Sequence, residues 1–233
     1  MCAISKESPR QEIEAAIAGG DLHKLLLLNG MLHGHYCPGL STGVKAAARA
    51  VKELRVSSTG MEEVVAIVET NSCFSDGIQM VTGCSFGNNA LIYRDYGKTA
   101  VTLARRTGEA IRVAAKAGSS PLDRYPEAAE LFRKVVQERR GTDEDNQELR
   151  RLWIEIAFNM LDIPDEELFS ISRVNIEVPA YARIFTSVKC SLCGENIMES
   201  RVRMKEGNPV CLPCSGQEYY QLAGDGLSLI THR

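Results

Sequence analysis

Four cysteines near the end of the chain, Cys190, Cys193, Cys211 and Cys214, form two Cys-x-x-Cys pairs separated by seventeen residues. Each pair lets two thiolates reach one ion from a tight turn, and Gly194 after the first pair suits a zinc knuckle. Four thiolates close a tetrahedron, so the zinc expected here is structural and supplies folding energy. The bland alternative, four buried reduced thiols, does not explain two such pairs at this spacing.

A second group is less regular. His33-Gly34-His35-Tyr36-Cys37-Pro38-Gly39 offers three residue types that bind a borderline metal. In an extended segment, positions i, i+2 and i+4 share a face, so His33, His35 and Cys37 are expected to converge. Pro38 suits the first position of a helix, which makes Cys37 its cap and favours the Cys37 thiolate through the helix dipole. Downstream, Cys73 lies in a loop expected at residues 70–74, Asp76 sits in the first turn of a short helix expected from Ser75 to about Thr82, Gln79 lies one turn on from Asp76, and Cys84 lies just past the end. Cys37 and Asp76 are the candidate catalytic groups, as nucleophile or ligand and as proton carrier or orienting carboxylate. Cys84 reads equally well as a small buried hydrophobe. His23 and His232 read as ordinary side chains, and Cys2 is unassigned.

The elements that must position these groups follow from periodicity. Residues 12–32 read as two helical pieces, the second capped by Asp21. From Pro38 the spacing Leu40, Val44, Ala47, Ala48, Val51, Leu54 is that of an amphipathic helix, with a small-residue stripe at Gly43, Ala47 and Ala50. Residues 64–68 form a buried strand, and three further strands are expected at residues 89–94, 100–105 and 109–114. A helix over Ala128, Leu131, Phe132, Val135 and Val136 ends at Gly141. It pairs with one capped by Thr142 or Asp143 that carries Leu149, Leu152, Trp153, Ile156 and Met160. Residues 171–179 are expected to be a strand leading out of the domain. Residues 198–204 and 208–210 are expected to pair as a hairpin in the ribbon. Helices followed by a mostly antiparallel sheet give an α+β fold, with a main domain at residues 1–182 and a zinc ribbon at 183–233.

Composition narrows the function. The chain has 233 residues and a formal net charge of −3, which does not suit a protein that coats nucleic acid by charge. Between Arg183 and Cys214 five basic residues face three acidic ones, too small an excess for a dense basic patch. No apolar run approaches the roughly 20 residues that span a bilayer. The first residues contain no apolar h-region, so no signal peptide is expected, and eight cysteines fit a reducing cytoplasm in which thiols bind metal.

The run His33-Gly-His-x-Cys-Pro-Gly, a Gly- and Ala-rich helix, Cys73-x2-Asp-Gly-Ile-Gln, Thr82-Gly-Cys, Gly87-Asn and Asp95-x-Gly-Lys98 together resemble the E-subunit family of formylmethanofuran dehydrogenase. Members with a C-terminal zinc ribbon are similar over nearly the whole chain, including Cys-x-x-Cys-Gly-Glu at 190–195. The resemblance implies an α+β domain that pairs as a homodimer. It also implies a metal pocket, zinc being the metal expected, at His33, His35, Cys37, Cys73, Asp76 and Cys84. A further implication is association with a molybdenum- or tungsten-dependent oxidoreductase. It does not imply a reaction for this chain itself. Three readings stay open: an accessory metal-binding protein, a stand-alone metal-dependent enzyme, and, ranked last, a zinc-ribbon regulator that binds DNA.

Overall fold

The computed structural model describes residues 8–231, so Cys2 and His232 lie outside the described residues. The chain separates into two compact units, one up to Pro179 and one from Ala180 onward.

The first unit opens with α1 (Gln11–Gly19) and α2 (Leu22–His33), separated by a left-handed Gly20. Asp21 caps α2 as expected, accepting a 2.8 Å hydrogen bond from the Lys24 N–H. The long helix α3 (Pro38–Leu54) is nearly all buried, and β1 (Val64–Val68) follows it. Helix α4 (Cys73–Thr82) then crosses over to β2 (Leu91–Tyr93), which lies parallel to β1. Strands β3 (Ala100–Arg105) and β4 (Glu109–Ala115) continue as an antiparallel hairpin. Two short helices, α5 (Pro121–Arg124) and α6 (Pro126–Phe132), lead through a π-helical turn at Arg133–Gln137 into α7 (Asp143–Asp162). Short α8 (Asp165–Leu168) and β5 (Phe169–Asn175) end the unit.

The sheet order is β2-β1-β3-β4-β5, with β1 and β2 the parallel pair and the other three pairings antiparallel. The fold is therefore α+β with a mixed sheet. A parallel pair needs a crossover rather than a tight turn, and α4 is that crossover. All five β1 residues are buried, as a strand inside a covered sheet should be. Helix α3 packs against β3, β4 and α7, with Leu40, Val44, Ala47, Ala50 and Leu54 in the core.

Several sequence expectations shift. The strand at 89–94 shortens to Leu91–Tyr93 because Asn89 is left-handed and the Asn88 carboxamide holds a turn, accepting from Ser85 and Ala90 N–H. The strand expected at 171–179 runs from Phe169 to Asn175 and pairs along all of β4, so it closes the sheet edge rather than leaving the domain. The helix before Gly141 is short and passes into the π turn. Thr142 does cap α7, in a capping box with Asp145. Lys45, buried on α3, donates 2.8 Å bonds to the carbonyls of Leu161 and Ile163, a cation at the C-terminal end of α7.

The contact between α3 and α4 is unusually close. A methyl group at Gly77 would lie 2.6 Å from the Val44 nitrogen and 2.7 Å from the Gly43 carbonyl carbon. One at Gly43 would lie 2.9 Å from the Phe74 carbonyl carbon. Gly43 belongs to the small-residue stripe read from the sequence, while the part played by Gly77 emerges only here. At the other end of α4, the Arg10 guanidinium donates to the carbonyls of Met80 and Val81 and covers its C-terminal carbonyls.

The second unit contains the hairpin β6 (Ser187–Lys189) and β7 (Asn196–Met198), and the hairpin β8 (Arg203–Lys205) and β9 (Asn208–Val210). A short α9 (Leu212–Ser215) and the hairpin β10 (Tyr219–Ala223) and β11 (Gly226–Ile230) complete it. The expected 198–204 arm is divided: Met198 pairs with Ser187, and Arg203–Lys205 alone pairs with β9. Among the described residues no helix is long and apolar enough to cross a membrane.

Replacing Gly77 by Ala should test the helix contact. Helix propensity alone favours Ala by about 1 kcal/mol. Overpacking against backbone that cannot give way costs about 1–3 kcal/mol and should win. The expected outcome is a lower denaturant midpoint for G77A; a raised midpoint would show that the two helices have room to separate.

Candidate metal centres

Gly39 on α3 faces Cys73 on α4, a methyl at Gly39 falling 3.1 Å from the Cys73 Cβ, and Gly43 faces Phe74 and Gly77. The two helices thus start side by side, and both N-termini arrive at one place. Cys37 is the N-cap of α3, its Sγ accepting from the Leu40 N–H at 3.4 Å, with Pro38 in the first turn. Cys73 is the first residue of α4.

His33 reaches the pair differently from the extended geometry expected. It is the last residue of α2, and Gly34 in the left-handed region turns the chain away after it. His33 and His35 end with their rings 4.3 Å apart, His33 half-buried and His35 exposed. Convergence therefore comes from a helix end plus a turn, not from strand alternation. The His33 Nδ1 lies 2.7 Å from the Asp76 carboxylate, and Asp76 in turn accepts from the Gln79 amide at 3.1 Å. A carboxylate on Nδ1 fixes that nitrogen as the donor and leaves Nε2 as the donor-free, metal-facing atom.

The His33 Nε2 lies 3.6 Å from the Cys37 Sγ. One imidazole and one thiolate on a tetrahedral zinc, with bonds of about 2.0 and 2.3 Å, stand about 3.6 Å apart. His33, His35 and Cys37 each place a ligand atom within 4.8 Å of the others. Cys73 interacts with both Cys37 and His33. The residues fit a borderline divalent ion, with Asp76 and Gln79 behind the imidazole.

The two thiols do not share charge as the helix dipole alone suggests. The hydrogen bond from the Cys37 thiol pulls Cys73 down to about 6 against the cost of burial, and the neighbouring imidazoles of His33 and His35 assist. Cys37 is pushed up by the same hydrogen bond, by burial and by the negative Cys73. The thiolate expected at Cys37 is therefore on Cys73. Two helix starts attract one negative charge, and the less buried sulfur holds it.

Cys84 does not join this group. Its thiol is fully buried at the far end of α4, pointing to the Val64 carbonyl at 3.7 Å, and desolvation raises its pKa. It is a core residue, and the ligand role implied by the resemblance is not met. His23 stays at the surface near Asp162.

In the second unit Cys190, Cys193, Cys211 and Cys214 place their sulfurs within 4.8 Å of one another, Cys193 and Cys211 at 3.9 Å. Sulfurs on a tetrahedral zinc lie about 3.8 Å apart, given bonds of about 2.3 Å. The Gly194 N–H bonds to the Cys190 carbonyl, and Gly194 adopts φ 78°, closing the knuckle. N–H groups of Cys193, Cys211 and Leu192 hold Cys190 down to about 6. Among the described residues the apolar cluster here is Cys190, Ile197 and Val210 with Val202, Cys211 and Cys214 against them. So small a core needs its metal.

Comparison with known proteins matches both units. Residues 32–170 match the family described as FmdE, Molybdenum formylmethanofuran dehydrogenase operon, and residues 183–220 match the prokaryotic dksA/traR C4-type zinc finger. The chain is 40% identical over 219 residues, 92% of its length, to a "Probable S-adenosyl-L-methionine-binding protein" of Archaeoglobus fulgidus, and spans 58% of that protein. It also resembles the crystal structure of an FmdE-like protein of the tungsten formylmethanofuran dehydrogenase type from Syntrophus aciditrophicus. The TM-score is 0.55 at 24% identity, over 84% of this chain and 92% of that one, which shows a shared fold.

The division of charge between the thiols is measurable. In chelator-treated protein at pH 7, Cys73 with a pKa of about 6 is roughly 90% thiolate. Iodoacetamide should modify it at least about tenfold faster than Cys37, located by peptide mass spectrometry, and the rate should fall as pH drops through about 6. Faster labelling of Cys37 would reverse the assignment.

Proposed function

The chain belongs to the FmdE family, and we propose that its main unit holds a divalent metal, zinc by the chemistry of the donors, on His33, Cys37 and Cys73, with the exposed His35 beside the fourth position as a donor that exchanges with solvent. The observation that carries the reading is the line of contacts from Gln79 through Asp76 to His33 and on to Cys37. A histidine held by a carboxylate on one nitrogen and aimed at a thiol on the other is the arrangement of a supported metal ligand.

When bound, such an ion polarises an oxygen-bearing ligand or activates water. The protein's own groups do the rest. Asp76 keeps the proton of His33 on Nδ1. Gln79 holds the Asp76 carboxylate in line. Burial of Cys37 keeps that sulfur dry, and exposure of His35 leaves one side of the site open to exchange. An accessible, thiolate-containing site suits an accessory protein that carries or presents a metal, and in this proposal it pairs as a homodimer and serves a molybdenum or tungsten oxidoreductase. The family description and the name of the structural neighbour support that association. The alternative, a stand-alone metal-dependent enzyme, draws support from the open side of the site. The ribbon's four thiolates leave no open position and serve structure alone. S-adenosyl-L-methionine binding, named for the archaeal relative, is not carried over, because this chain spans only part of that protein.

Metal analysis of the full chain should find two equivalents. The C37A/C73A pair should lose one and keep the fold by circular dichroism, whereas C190S/C193S should lose the other. Asp76→Asn should weaken the first metal about 10–100-fold. A wild-type protein with one equivalent, unchanged by C37A/C73A, would remove the proposal. Capture from native cells under mild conditions separates the readings: a co-purifying molybdenum or tungsten enzyme supports the accessory role, and consistent recovery alone overturns it.

A further inference from the structure

A cavity of about 610 Å³ opens beside the thiols, within the range of about 300–1,000 Å³ usual for small-molecule sites. Its lining includes Gly39 and both neighbours of Cys73, Ser72 and Phe74. The lining also includes three cations, Lys98, Arg112 and Lys116, and among the described residues no carboxylate lines the cavity. The metal-ligand reading does not use this cationic wall, and the family resemblance touches it only at Lys98, to which it gives no role.

Its construction is specific. Glu69, just past β1 and buried, receives two hydrogen bonds from Arg112 on β4, from Nε at 2.9 Å and from Nη2 at 2.8 Å. The Glu69 backbone also accepts from the Lys98 N–H at 2.9 Å and donates to the Ala100 carbonyl. The buried Glu69 carboxylate thus fixes the Arg112 fork, and the backbone of the same residue fixes the base of the Lys98 loop. The fork is held by Nε and Nη2, so the other terminal nitrogen, Nη1, is left with two N–H donors for which no partner is found among the described residues. No carboxylate pairs with the Lys98 ammonium among those residues either. Lys116 is used differently, donating to the Glu166 carbonyl. An Arg112 held by Glu69 with Nη1 left to donate, together with the exposed Lys98 ammonium, at a cavity without carboxylates among its lining residues suits a planar or tetrahedral oxyanion.

We propose that this cavity binds a small molecule through a carboxylate or phosphate group, with Lys98 and Arg112 Nη1 as the anchors and Glu69 as the residue that positions them. Phe74, Ala114 and Ala115 give the remainder of the ligand an apolar wall. Ser72 and Phe74, which flank Cys73, share the lining, so an anchored molecule lies next to the segment that carries Cys73. The anion site stands without the metal; that its ligand meets the metal rests on the metal-site proposal.

Isothermal titration of the full-length protein with inorganic phosphate and, separately, with succinate, at ionic strength matched with sodium chloride, tests this. One-to-one binding of phosphate identifies a phosphate ester class and of succinate a carboxylate class, and either supports the site. Lys98→Met should weaken binding at least tenfold while metal content stays at the wild-type value. Arg112→Lys, which keeps a charge beside Glu69, should weaken it as well. C37A/C73A should bind the anion normally, so failure of the metal proposal and failure of this one are told apart. Absence of saturable binding of both probes overturns the proposal, as does equal binding by wild type and Lys98→Met.

Discussion

The close crossing of α3 and α4 at Gly43 and Gly77 governs the first unit. Two glycines inside helices cost about 1 kcal/mol each in helix propensity, yet no larger residue fits, because backbone atoms of the partner helix occupy the space of a Cβ. The result is a pair of helices aligned from their first turns. Cys37 and Cys73, 36 positions apart in sequence, become neighbours as a consequence. Asp76, one turn into α4, comes level with the end of α2 and meets His33. A wider crossing would keep every element and lose the site.

Electrostatics follow from that crossing. Each helix start favours an anion, but two thiolates in contact repel, so the first negative charge raises the cost of the second. The pair therefore holds one thiolate and one thiol, with the charge on Cys73. A divalent cation removes this repulsion, which is why such a pair beside an oriented imidazole favours metal. The opposite end of α4 has a different role. There Arg10 covers the carbonyls and Cys84 is sealed in the apolar core, away from charge and ligands alike.

The second unit answers a different physical demand. Its apolar cluster is too small to hold three hairpins and a helical turn together, and four sulfurs at tetrahedral spacing provide the missing constraint. Closing the coordination sphere makes that ion a fold element, and the His/Cys group of the first unit is the one with an exposed side. The cationic wall built on Glu69 lies there too, beside the thiols and outside the ligand set.

Local pattern carried much of this. Cys-x-x-Cys spacing set the ribbon, Asp21 and Thr142 marked helix starts, Cys37-Pro38 marked the start of α3, and the apolar periodicity of α3 and β1 placed the core. These features are local because capping, periodicity and paired ligands act within a few residues. What the pattern missed depends on contacts distant in sequence. Which of its two readings Cys84 takes, that Cys73 is the thiolate, that His33 and His35 converge through a helix end, and that residues 169–175 pair along β4 are results of packing. So is the use of Glu69 to brace Arg112 and Lys98, since a single acidic residue after an apolar strand shows no sign of its partner 43 positions away. Sequence determined which residues were fit to bind metal; the glycine-to-backbone contact between two helices decided which of them meet, because only tertiary packing sets distances between separate elements.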